Sequence, residues 1–167
     1  MVSQPRRQMA ATKLGLIALF LGTFAAIAST GPFRRRHKKA LDLPLTDLAM
    51  LAAATYRLGR LVAFDEVLEP VRAPVAETLP DPSGAGEMVV PRGLGARQAL
   101  GQLITCPICV GTWIAAGLVY ALHLLPSPTR LFLLINSTVG AAELLNAITE
   151  SLSWSGEAAR KTAGEKP

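Results

Sequence analysis

Thr105-Cys106-Pro107-Ile108-Cys109-Val110-Gly111-Thr112-Trp113 decides how this chain is read. It sets both cysteines of the sequence, spaced Cys-x-x-Cys, at the entry to a long apolar run. From Gln98 to Thr129, 32 consecutive residues lack Asp, Glu, Lys and Arg. A helix needs about 20 predominantly apolar residues to cross a hydrocarbon core of ~30 Å, so the thiols belong at a membrane rather than in a soluble core. Pro107 suits the first turn of that helix, where its missing N–H has no intrahelical partner to lose. The helix is expected over 107–125, preceded by a short one over 94–105.

Composition agrees. Half of the 167 residues are hydrophobic, mean hydropathy is +0.35, and charged residues make up 17%, against about 25% in soluble domains. The net charge of +5 is carried by Lys and Arg beside apolar segments. That is where they anchor spans and meet anionic headgroups, so the lipid bilayer is the expected partner and nucleic acid is not.

Toward the N-terminus, Leu14 to Phe33 contains 20 uncharged residues, preceded by Arg6, Arg7 and Lys13 and followed by Arg34, Arg35, Arg36, His37, Lys38 and Lys39. Ala26-Ile27-Ala28 offers a signal-peptide cleavage pattern ahead of Ser29. The basic cluster resists translocation, however, and reads as the cytoplasmic flank of a retained anchor over 1–44. Next, Leu45 to Phe64 is rich in helix formers and free of proline, which predicts a helix. Arg57 and Arg60 lie on one face of it with Tyr56. Each Arg at a helix centre costs about 2.5–3.5 kcal/mol on insertion scales, so this helix crosses only with partners or else lies in the interface.

Between 65 and 97 the character changes to alternating acids and prolines, and Pro80-Asp81-Pro82-Ser83-Gly84-Ala85-Gly86 predicts an exposed loop. Pro126-Ser127-Pro128 is short enough to enforce an antiparallel return into a last helix over about 131–152. There Asn136, Gly140, Glu143 and Asn146 fall on one stripe. Residues 153–167 read as a disordered polar tail. The fold class is therefore all-α: a small multipass bundle of three to four apolar helices with a Pro/Gly-rich loop, its family domain over 45–152.

Charge counting divides on topology. With four spans, one side carries six Lys or Arg and the other nine; with the 45–64 helix in the interface the split is thirteen to four, which obeys the positive-inside rule better. The four-span arrangement has its own support. Arg57 and Glu143 each lie 12 residues into parallel helices counted from Leu45 and Leu131. Both then sit about 18 Å deep and pair at one level.

Three ordered motifs, Ala54-Thr55-Tyr56-Arg57-Leu58-Gly59-Arg60-Leu61, Phe64-Asp65-Glu66-Val67-Leu68-Glu69-Pro70-Val71-Arg72-Ala73-Pro74 and Cys106-Pro107-Ile108-Cys109-Val110-Gly111-Thr112-Trp113, resemble an uncharacterised bacterial membrane-protein family. It is known as domain of unknown function thirteen-sixty and includes a sporulation protein. The resemblance runs from about Leu45 to Glu150 and marks Tyr56, Asp65, Pro70, Arg72, Pro107, Gly111 and Trp113 as motif residues. Family members often carry an aromatic residue where this chain has Ile108. The resemblance implies a multipass protein of the bacterial cell membrane and no reaction.

The cysteine pair has three readings. A helix N-terminus lowers a thiol pKa and favours redox chemistry at Cys106 and Cys109. Against it, no βαβ pattern surrounds the pair. A zinc site needs about four ligands, and His123 lies about four turns further along the helix, so only a dimer completes one and no resident metal or cofactor is expected. The third reading is packing or a structural disulfide. Without a nucleotide loop, a His-rich motif or a Ser/His/Asp grouping, the expected function is a non-enzymatic scaffold or assembly factor of the bacterial envelope, associating with itself or other membrane proteins. The alternatives are a membrane thiol–disulfide protein and a small transporter or channel subunit lined by Asn136, Glu143 and Asn146.

Overall fold

A computed structural model describes residues 4–29, 43–84 and 86–164; the basic cluster at 34–39 lies outside them. Six α-helices follow in order: α1 (Gln4–Ser29), α2 (Leu45–Phe64), α3 (Glu69–Arg72), α4 (Ala96–Ile104), α5 (Pro107–Leu124) and α6 (Pro126–Gly164). A 3-10 turn at Glu66–Leu68 precedes α3, and β1 (Ala76–Pro80) and β2 (Glu87–Pro91) follow it. Three helical segments, Arg6–Ser29, Pro107–Leu124 and Pro126–Glu157, are long and apolar enough to cross a membrane. The all-α expectation holds apart from the hairpin.

α2 spans the residues expected of it, but its position in the bundle is the informative part. Gly59 lies against Pro107 and Thr55 against Gly111, so α2 and α5 run in opposite directions. Asp47 bonds to Arg130, and Gly140 abuts Ala53 and Arg57, so α2 and α6 run in the same direction. Phe20 stacks edge-on to Trp113 and Phe24 lies beside Tyr120, which sets α1 parallel to α5. In chain order the four long helices thus alternate in direction, with α2 packed between α5 and α6.

The core is correspondingly slim. Leu51, Ala54, Leu118, Leu122 and Leu133 form the buried cluster, flanked by Met50, Leu58, Ile114 and Val119. Outside it, Leu14, Ile17, Leu21, Leu134, Ile135, Leu145 and Ile148 are all exposed. Apolar surface on this scale covers the outer faces of α1 and α6, far more than a water-facing helix ordinarily exposes.

Three expectations change. The segment 65–97 is not simply a loop: β1 and β2 pair antiparallel, with Ala76 opposite Pro91 and Pro80 opposite Glu87. In a two-stranded ladder both strands are edges, so prolines at the strand ends cost no shared hydrogen bonds. The last helix begins at Pro126 rather than about 131, because Pro126 and Pro128 occupy a first turn whose N–H groups are unpaired anyway. The supposed tail is a continuation of α6 to Gly164. Ala, Glu, Arg and Lys after Trp154 are good helix formers and extend a helix already nucleated by packing.

Candidate functional site

The polar residues that the sequence singles out gather where α2 meets α6. Arg57 occupies the centre. One guanidinium nitrogen lies 2.8 Å from Glu143 Oε1 on α6 and another 2.8 Å from Asp65 Oδ2 at the end of α2. Arg57 is 18% exposed, so a charge that would be costly alone is matched by two carboxylates. The close approach that permits this comes from Gly140, one turn before Glu143, where a Cβ would run into the Ala53 carbonyl oxygen. Glu143 Oε2 is buried and has no hydrogen-bond partner among the described residues.

One turn after Arg57, Arg60 lies over two aromatic rings, 5.8 Å from the Tyr56 centroid and 5.7 Å from that of Phe64. Such stacking stabilises a cation by about 0.5–1 kcal/mol at exposed sites. Tyr56, Arg60, Glu143, Asn146 and Glu150 line a cleft of about 470 Å³ between α2 and α6. Asn136 is not part of it. Its amide donates to the Phe132 carbonyl of its own helix at 2.9 Å, and it lies ten residues, about 15 Å, before Asn146. The polar stripe expected to line one path is therefore divided.

Asp65, Pro70 and Arg72 act at the end of α2. Arg72 folds back beneath the helix, 3% exposed, and donates to the Asp65 carbonyl at 2.6 Å and the Phe64 carbonyl at 3.1 Å. Terminal helix carbonyls have no intrahelical donors, and a guanidinium both bonds them and complements the negative end of the helix dipole. Pro70 sits in the first turn of α3, which aims Arg72 back. Asp65 thus contributes its carboxylate to Arg57 and its carbonyl to Arg72.

At the start of α5, Cys106 is the N-cap: its Sγ accepts the Cys109 N–H at 3.3 Å, and Pro107 follows in the first turn. The two cysteines are disulfide-paired with Cα atoms 5.2 Å apart. Gly59 makes room for this turn, since a Cβ there would lie 2.8 Å from the Pro107 carbonyl oxygen. Ile108 projects outward at 84% exposure. Cys109, Thr112 and Trp113 form one wall of an apolar cleft of about 550 Å³, closed by α1 and α4. His123 contacts the Val119 carbonyl of its own helix at 2.7 Å and lies about 21 Å along the helix from Cys109. Among the described residues no group of three or more His, Cys, Asp and Glu is placed to hold a metal ion.

Sequence reasoning overlooked one pair. Asp47, buried in the first turn of α2, accepts from Arg130 in the first turns of α6 at 3.0 Å. The signal was an acid in the first turn of one apolar helix and a lone Arg at the start of another.

The family model described as "Protein of unknown function (DUF1360)" matches residues 50–149, a span that contains all three motifs. The chain is also 27% identical over 104 residues to the sporulation protein YjcA of Bacillus subtilis (strain 168), covering 60% of this chain and 88% of the relative. No solved structure matches.

Proposed function

The chain belongs to the DUF1360 family, proteins of unknown function, and we propose that it is a multipass membrane scaffold or assembly factor of the bacterial envelope with no reaction of its own. Arg57 carries this reading. The least lipid-compatible group in the bundle is spent joining α2 to α6 and to the start of the 65–97 segment. Arg72 and the Asp47–Arg130 pair are likewise used in helix-end and interhelical bonds. On this reading α2 crosses as a fourth span, with Arg57 and Arg60 level with the first turn of α5 near one membrane face, Arg57 matched by two carboxylates and Arg60 stacked on aromatic rings. The sporulation role in the name of the relative is consistent with an envelope function.

A second reading, a membrane thiol–disulfide protein, draws support from the position of Cys109 on an open apolar cleft and of the pair at a helix N-terminus, where a thiolate is favoured. The test is a strain in which the wild-type chain is replaced by the Cys106→Ala/Cys109→Ala double variant. A scaffold retains activity in proportion to the protein present; an oxidoreductase is inactive at full abundance. Thiol labelling of single-cysteine positions from each side of intact cells then counts the spans.

A further inference from the structure

The cleft between α1, α4 and α5 has a feature that the scaffold reading does not use. Its walls are Leu16, Ile17, Phe20, Leu21, Leu103 and Trp113, and a single charged side chain, Lys13, stands among them. Among the described residues no carboxylate pairs with Lys13. We propose that this cleft is a binding site for an anionic phospholipid, its phosphate on the Lys13 ammonium and one acyl chain along Leu16, Phe20 and Trp113. The proposal rests on the membrane reading above.

Depth gives the argument its shape. Phe20 and Trp113 touch, their centroids 5.0 Å apart, on helices that run in the same direction. Lys13 lies seven residues, about 10 Å, before Phe20, and Pro107 six residues, about 9 Å, before Trp113. Lys13 is therefore level with the first turn of α5, where that helix starts and where headgroups lie. The apolar walls continue inward from it, at the depth of acyl chains. A cleft with apolar walls in a bilayer fills with hydrocarbon, and an unpaired cation at its mouth selects the hydrocarbon that carries a negative headgroup. Gln102 adds an amide donor among the same walls, whereas the Thr112 hydroxyl donates to the Ile108 carbonyl of its own helix at 3.3 Å. Neither a soluble anion, which gains nothing from the walls, nor a neutral lipid, which gains nothing from Lys13, fits both halves.

The test uses the full chain in vesicles with Trp154→Phe, so that Trp113 is the single tryptophan. Acyl-brominated phosphatidylglycerol diluted into phosphatidylcholine is compared with brominated phosphatidylcholine diluted into phosphatidylglycerol. Trp113 fluorescence reports which lipid occupies the cleft. The expected result is half-maximal quenching at an about fivefold lower mole fraction for the anionic lipid, the preference that one lysine confers near a headgroup. Lys13→Gln abolishes the preference, whereas Lys13→Arg and Arg6→Gln keep it. Equal quenching by both lipids, or a preference that survives Lys13→Gln, overturns the site. Quenching by neither lipid overturns the membrane reading, and the site with it.

Discussion

Arg57 and Glu143, 86 residues apart in the chain, meet at 2.8 Å between two helices that run in the same direction. The third member, Asp65, makes the arrangement asymmetric. Glu143→Gln leaves Arg57 its second carboxylate, whereas Arg57→Met leaves two carboxylates facing each other. The Arg57 variant should therefore be the less stable, by about 1–3 kcal/mol against wild type, because the three side chains are only partly buried. Adding Glu143→Gln to it should recover part of the loss. Thermal unfolding in detergent checks the cycle, and strictly additive losses would dispose of the coupling.

The Asp47–Arg130 pair should respond in the opposite order to that suggested by burial alone. Asp47 is buried while Arg130 is 58% exposed, so Arg130→Ala strands a buried carboxylate and Asp47→Ala strands a cation that water can reach. Arg130→Ala should cost more, about 1–3 kcal/mol. Equal melting temperatures for the two single variants would count against the pair.

Gly59→Ala should separate α2 from the cysteine turn. The added methyl meets backbone at 2.8 Å, which cannot swing aside as a side chain can, so a loss of about 1–3 kcal/mol is expected. Gly22→Ala is the control: nothing lies within 4 Å of a Cβ there, and replacing an exposed helical glycine adds stability by about 0.5–1 kcal/mol. Both are read by thermal unfolding.

Replacing Cys106 and Cys109 together by Ala should lower accumulation moderately while the surviving molecules still work. The closed loop holds only four residues, so its entropic contribution is about 2 kcal/mol at most, and the N-cap at Cys106 is lost with it. Immunoblots normalised to activity decide the matter. Full abundance without activity, with a mixed disulfide trapped on the single variant, would favour the redox reading.

The hairpin turn supplies a pH test. The hydroxyl and the backbone N–H of Ser83 both donate to Asp81 Oδ1, which holds its carboxyl below the ordinary value of 3.8. A depressed folded-state pKa means the turn gains this support fully above the ordinary value and loses it as pH falls through the lowered one. Carboxyl chemical shifts of Asp81 should show a midpoint below 3.8, and Ser83→Ala should raise it.

Local signals were legible wherever they coincided with the tertiary ones. α2 could be bounded because an unbroken, proline-free run of helix formers fills it, and the Arg57–Glu143 contact followed from counting residues along two helices. Periodicity could not reveal that Gly59 on α2 and Gly140 on α6 lie under neighbouring carbonyls, since that depends on which helices approach and how closely. The hairpin was obscured because two five-residue strands rich in proline and glutamate carry too little alternation to stand out from a loop. Asn136 misled because a side-chain amide inside an apolar helix has two ways to be satisfied, across to a neighbour or back to its own backbone, and periodicity does not tell them apart.

α6 is 39 residues long, and its far end, Gly164, lies 21 residues beyond Glu143, about 31 Å along the axis. Glu143 is held by Arg57 and Gly140 is pressed against Ala53, so the helix is gripped near its middle, and among the described residues beyond Glu143 no ion pair ties it to another element. It is a lever with its fulcrum at the clamp: a tilt of about 10° there carries Gly164 through about 5 Å, a motion that small adjustments inside the bundle would report outside it.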